Sequence, residues 1–366
     1  MTWRLHSESN ALLAFAGGLG QYSRPLSRST TPVFFTLVIL LMRSLLVFLA
    51  LTLLSATVHA EWFHFHATAM TTRIDVELWS DSAAEAERVS QQVFAEFDRI
   101  EAVMTRYRPE SELSGVNRDA FGKAIVISPE LFRMLETAQG VSRLSDDAFD
   151  ISFASVGYLY DYRAGQQPGA KELAQHVGSV DYRQIRLNAA EHSVQLMQPG
   201  MLLDLGGIAK GYAVDQGVAI LQKANIKHAQ LSAGGDMRLL GDKRGKPWIV
   251  GIRDPRAESG HATVLPLSDV AVSTSGDYER FFIDDKGERI HHILSPKTGK
   301  PVKGVQSVTI IGPDATTTDG LSTAVFVLGV EKGLALINRL DGIDAIIIDE
   351  QRKLHYSGGL AAPGQP

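Results

Sequence analysis

The 366-residue chain is 45% hydrophobic, has a formal net charge of −5 and contains no cysteine. That length allows one large domain or two modest ones, and the composition is globular without a general nucleic-acid footprint. The missing thiols exclude disulfides, thiolate metal sites, a cysteine nucleophile and a lipid anchor on an N-terminal cysteine.

Residues 1–41 carry no clear fold signal and read as an over-extended start. Val33 to Val58 is apolar and long enough to span a bilayer, but Arg43 and Ser44 interrupt it. A central Arg costs about 2.5–3.5 kcal/mol on insertion scales. A start at Met42 removes that cost. Arg43 then becomes the positive n-region and Leu45–Leu54 the apolar core, and Val58-His59-Ala60 resembles a cleavage site. The expectation is a leader over 42–60, a mature domain over 61–366 and a soluble periplasmic protein. The alternative is an uncleaved helix anchored in the inner membrane.

Thr72–Trp79 alternates Ile74, Val76 and Leu78 with polar neighbours, which predicts a half-buried strand. Ser82 lies three before Glu85, a capping-box spacing, and opens a helix burying Val89, Val93, Phe97, Ile100 and Met104. Ser128-Pro129 opens a second helix, with Leu131, Leu135 and Ala138 on its core face. Gln166–Gly169 reads as an exposed loop. Met201–Leu203 reads as a short strand before the Gly206-Gly207 turn and a helix.

Further strands are expected at His228–Ser232, Trp248–Arg253, Val270–Ser273, Arg280–Ile283, Ile290–Leu294 and Ser307–Ile311. Asp284–Gly287 is a hairpin turn signal. Helices follow from about Asp319 to Gly329 and from Glu331 to Leu340, and Ala345–Ile348 closes the sheet. Strands and helices do not alternate strictly, so the class is α+β.

Three segments carry chemistry. Asp204–Asp215 packs an acid, a glycine pair, Lys210 and a further glycine at a helix start. Glycines admit close backbone approach, and a helix N-terminus presents N–H groups to anions, so this reads as a phosphate-handling site. Its spacing is neither a Rossmann nor a Walker A pattern. In Thr316–Ala324 a threonine at 317 or 318 can cap a helix. Asp319 in its first turn shares a face with Thr323, a pair suited to Mg²⁺. In His291–Pro301 an imidazole sits near a sheet edge, where neutral His serves as a general base. Each has an ordinary alternative: a glycine turn, a dipole-compensating Asp, a surface His pair. The runs Met104–Asn117, Leu231–Asp236 and Val272–Arg280 are weaker.

Taken together, Ala69–Thr72, Thr105–Arg108, Asp147–Asp150, Asp204–Asp215, Ser232–Asp236, Ser273–Tyr278, His292–Pro301 and Asp319–Gly329 resemble the ApbE family, the FAD:protein FMN transferases. The resemblance spans roughly 66–350. It implies a T-fold-like α+β architecture, a single catalytic domain with a mixed or antiparallel sheet and flanking helices. The implied reaction uses Mg²⁺ and moves FMN from FAD onto a Thr or Ser of a partner protein, releasing AMP. Carried over, Asp319, Ser322, Thr323 and the main-chain oxygen of Gly207 resemble the metal site. Met70, Arg106, Tyr107, Arg108, Ala148, Phe149, Asp150, Asp204, Lys210 and Leu294 resemble FAD contacts, and His292 resembles the base.

Two positions depart from the family pattern: Ser295 where Asp is frequent, and Thr71 where Met-Gly-Thr is frequent. The implied partner is a flavin-acceptor domain, such as a subunit of a Na⁺-pumping quinone reductase or an Rnf-type complex. The competing expectations are an FAD pyrophosphatase, with water as acceptor, and a flavin-storage protein without turnover.

Overall fold

A computed structural model describes residues 39–44, 60–257 and 259–360. Residues 39–44 are an exposed helical stretch; the rest of the expected leader and of the 1–41 segment lies outside the described residues. From residue 60 the chain builds an α+β unit around one eight-stranded sheet.

The sheet strands are β1 Glu61–Ala69, β2 Thr72–Ser80, β3 Ala229–Ala233, β4 Asp236–Leu240, β5 Ala271–Gly276, β6 Val305–Gly312, β7 Asp344–Asp349 and β8 Leu354–Tyr356. They lie side by side in chain order, each antiparallel to the next. The class expected from sequence is therefore the one observed. β1 was not foreseen, although Phe63, Phe65, Ala67 and Ala69 alternate toward the core. Its register places Phe65 opposite Val76 and Phe63 opposite Leu78, so both strands present one apolar face. Ala345–Ile348 does not close the sheet. The polar-flanked Leu354–Tyr356 pairs outside it and takes the edge.

The helices α1 Ala83–Met104, α3 Ala209–Lys223 and α4 Ala315–Ile337 cover the apolar face, and α2 Pro129–Leu144 packs on α4. Ser82 caps α1 by accepting from the Glu85 N–H at 3.2 Å. The return half of the box is absent because Glu85 turns to Arg88. Ser128 caps α2 by accepting from Leu131 N at 3.1 Å, with Pro129 in the first turn. The helix expected from Asp319 begins earlier, at Ala315, and Asp314 rather than a threonine is its cap. Asp319 therefore sits one turn deeper than expected. Gly329, at φ 78°, breaks α4 where the sequence suggested two helices, and the second half ends at Ile337. α4 is long and apolar enough to cross a membrane, but it packs against β5 and β6 as a core helix.

The opposite sheet face is covered in part by a hairpin of Trp248–Arg253 and His261–Leu267. A second hairpin, Phe281–Ile283 with Arg289–His291, forms as the Asp284–Gly287 turn predicted. Met201–Leu203 is not a strand. Its extended backbone is bound by Ser155 Oγ and Asn117 Oδ1 at Leu202 and Leu203, and Asp204 N reaches the Ile151 carbonyl. Those partners replace a sheet ladder and deliver the glycine pair onto α4.

Candidate active site

α3 and α4 cross with almost no space between their N-terminal turns. A methyl at Gly211 would come within 2.6 Å of the Ala315 carbonyl carbon and 2.7 Å of Asp319 Cβ. Gly211 N donates instead to Asp319 Oδ2 at 2.9 Å. The helix-start N–H groups expected to await an anion are thus largely committed: Gly211 to Asp319, and Ile208 and Ala209 to the Leu205 carbonyl. At the start of α4, Asp215 accepts from Ala315 N and Thr316 N at 2.8 Å each. Gly211→Ala is expected to destabilise the fold by about 3 kcal/mol or more, because the obstruction is backbone. Its melting temperature should fall by several degrees; a value equal to wild type would contradict this packing.

The crossing brings together the residues proposed from sequence as cation ligands. Thr323 Oγ1 lies 3.3 Å from where a Gly207 Cβ would stand, and Phe149 presses on the same position at 3.2 Å. A side chain there would crowd both neighbours, so glycine eases the close approach of that backbone to the Thr323 hydroxyl. Ser322 Oγ bonds the Asp319 carbonyl at 2.9 Å and Ser275 Oγ at 2.8 Å. Ser275 also reaches Thr323 Oγ1 at 3.3 Å, and Ser273 meets Thr318 Oγ1 at 2.8 Å. Two β5 serines therefore fix the hydroxyl face of α4, a role the sequence left unassigned. Among the described residues no three His, Cys, Asp or Glu side chains converge on a metal position. The donor set is one carboxylate, hydroxyls and a carbonyl, all hard oxygens, which fits Mg²⁺ rather than a softer ion.

Asp319 is 3% exposed. Burial and the nearby Asp236 carboxylate raise its pKa, and Lys210 at 3.7 Å only partly offsets them. Such a carboxyl is short of positive charge. Lys210 pairs directly with Asp236, which ends the Gly234-Gly235 turn. Burial pulls against its charge, but Asp236 and Asp319 prevail and raise its pKa. Asp236 was legible only as part of a second Gly-Gly turn; its task, holding Lys210, comes from the β3–β4 geometry.

His292 follows the second hairpin and is half-buried. Burial, with Arg280 and His291 alongside, pulls its pKa down to about 3, so the ring is neutral at physiological pH. Its Nδ1 is buried without a hydrogen-bond partner among the described residues. An orphaned polar ring atom of this kind is costly unless something docks on it.

The proposed flavin contacts divide. Arg106 Nε bonds Asp204 Oδ2 at 2.6 Å and lies over the Tyr107 ring at 4.3 Å, while Tyr107 stays 64% exposed. Met70 N and Arg108 both engage Glu101, at 2.8 and 3.5 Å. These residues form two side-chain clusters, one on Asp204 and one on Glu101. Ala148, Phe149 and Leu294 are buried packing residues. Asp150 accepts from Ser152 N, Ser152 Oγ and Tyr182 N, so its carboxyl serves the fold. At Ser295 the backbone N–H reaches the Lys300 carbonyl, closing a tight turn.

The family model described as "ApbE family" matches residues 70–347. The FAD:protein FMN transferase of Treponema pallidum (strain Nichols) is 36% identical, across 76% of this chain and 82% of that one. Its counterpart in Klebsiella pneumoniae (strain 342) is 32% identical, across 81% and 92%. Among solved structures, the ApbE protein of Thermotoga maritima MSB8 superposes with a TM-score of 0.75 at 30% identity, covering 82% of this chain and 98% of that one. The flavin transferase ApbE of Vibrio cholerae gives 0.74 at 26% identity, covering 82% and 98%.

Proposed function

The chain belongs to the ApbE family, and from that we propose that it is an FAD:protein FMN transferase: it takes FMN from FAD and joins it to a protein hydroxyl. The acceptor is a Thr or Ser, the reaction depends on Mg²⁺, and AMP leaves. The observation that carries this reading is the oxygen-donor set of Asp319, Thr323 and Gly207, beside Lys210, whose charge also bears on a neutral imidazole with an unpartnered Nδ1.

Phosphoryl transfer asks a protein for position and charge rather than covalent help. Asp319, Thr323, Ser322 and the Gly207 carbonyl would hold Mg²⁺, which supplies Lewis-acid charge on the diphosphate when bound. Lys210, fixed by Asp236, adds a permanent positive charge beside it. The Arg106–Asp204 pair and the Tyr107 ring offer a planar surface for an aromatic ring system. His292 takes the acceptor's proton as the hydroxyl oxygen bonds to the FMN phosphorus. The anhydride bond breaks in the same displacement, and AMP carries away its electrons. A base at about 3 is weak in the free protein. Burial is the main cause of that depression; the negative diphosphate offsets the added push of Arg280 and Lys210 and so raises the ring's basicity when substrate is bound.

We further propose export through the 42–60 leader; the support is that β1 begins at Glu61, directly after the expected cleavage point. The test is intact-mass analysis. Purified protein with FAD and Mg²⁺ should add one FMN to a recipient domain bearing the target Thr or Ser. Release of free FMN and AMP with no gain on any recipient would instead assign a pyrophosphatase.

A further inference from the structure

The basic side chains around this site are mostly committed. Arg106 pairs with Asp204, Arg108 with Glu101, and Lys210 with Asp236 and Asp319. Arg280 differs. It is exposed, and among the described residues no carboxylate lies within ion-pair reach of it. Its one side-chain tie among the described residues is from Nη2 to Thr71 Oγ1 at 2.9 Å. Its backbone carbonyl accepts from His292 N at 3.1 Å, which fixes it to the base's own segment. Its charge bears on both His292 and Lys210.

Thr71 is itself unusual. Met70 and Thr71 form the two-residue turn between β1 and β2, with φ of 51° and 61°. Such a hairpin turn calls for positive φ at both positions, and a β-branched residue is strained there. Glycine would occupy the position without that strain. What threonine adds is a hydroxyl, and the hydroxyl holds Arg280. Met70 in the same turn is tied by its N–H to Glu101. The turn is therefore anchored on one side and presents a guanidinium on the other.

We propose that Arg280 is the cation that takes the substrate's diphosphate directly, and that Thr71 is a positioning residue holding its guanidinium toward the site. A free guanidinium fork suits two phosphate oxygens at once. Lys210, already bound to two carboxylates, acts as fixed background charge. This rests on FAD being the substrate.

The test is equilibrium binding of FAD and of riboflavin, which lacks phosphate, to the full chain without metal, read by flavin fluorescence. Arg280→Gln is expected to weaken FAD by ~10–100-fold, the range for a lost hydrogen bond to a charged group, and to leave riboflavin unchanged. Arg280→Lys should recover part of the loss. Thr71→Gly should weaken FAD by about 3–10-fold, a fraction of that loss, while the melting temperature rises because strain is relieved. Thr71→Ser should bind FAD as wild type does. Unchanged FAD binding in Arg280→Gln, or an equal loss for riboflavin, overturns the assignment of Arg280. Unchanged FAD binding in Thr71→Gly overturns the role of Thr71. A wild-type protein that binds no FAD would sink the transferase reading itself, an outcome distinct from either.

Discussion

Replacing His292 with alanine is expected to slow flavin transfer by ~10²–10⁴-fold, the usual contribution of a positioned general base. FAD affinity should change little, because the ring is held for the acceptor's proton rather than for the flavin. The variant also tests the environment of the ring. An unfolded histidine binds a proton below about 6.5, whereas folded His292 stays neutral down to about 3. The unfolded state therefore takes up more protons as pH falls through 6.5 toward 3, and the fold loses stability over that window. Between pH 7 and 5 this one residue should cost wild type on the order of 1–2 kcal/mol. The alanine variant should show a flatter dependence of melting temperature on pH. Full transfer activity in that variant would remove His292 from the mechanism.

Asp319→Asn is expected to lower transfer by ~10³-fold or more, since the charge a bound metal offers is worth several kcal/mol at 1.36 kcal/mol per decade. The fold should survive. An asparagine oxygen can still accept from Gly211 N, and removal of a buried negative charge beside Asp236 relieves repulsion. A melting temperature equal to or above wild type is therefore expected alongside the lost activity. That pairing separates a ligand from a structural residue: a carboxylate kept for the fold would leave a less stable protein. Wild-type rates in Asp319→Asn at the same magnesium concentration would remove this carboxylate from the cation site.

Much of this was legible in the residues. Ile74, Val76 and Leu78 announce β2 by period alone, and Ser82 and Ser128 announce two helix starts because capping is local chemistry. Asp319 and Thr323 share a face by helix period, but their meeting with Gly207 is not local. That part followed from the family resemblance, and the crossing of α3 and α4 shows how the fold achieves it. What the sequence could not tell was how charges pair. Lys210 looked like a free phosphate ligand until β4 brought Asp236 onto it. Asp150 looked like a ligand contact, but its three hydrogen bonds lie inside the fold. The helix α4 was misjudged at its start because Asp314 and Asp215, one of them far away in sequence, together supply the cap expected from a threonine.

The Gly211–Asp319 bond joins residues 108 positions apart. Contacts so distant form late, after the intervening chain has been made and collapsed. A nascent or truncated polypeptide ending before residue 315 would contain Lys210 and the glycine pair yet lack both the carboxylate and the hydroxyl they face. On the proposed site, catalytic competence is thus withheld until the last helix, Ala315–Ile337, has been made and has packed.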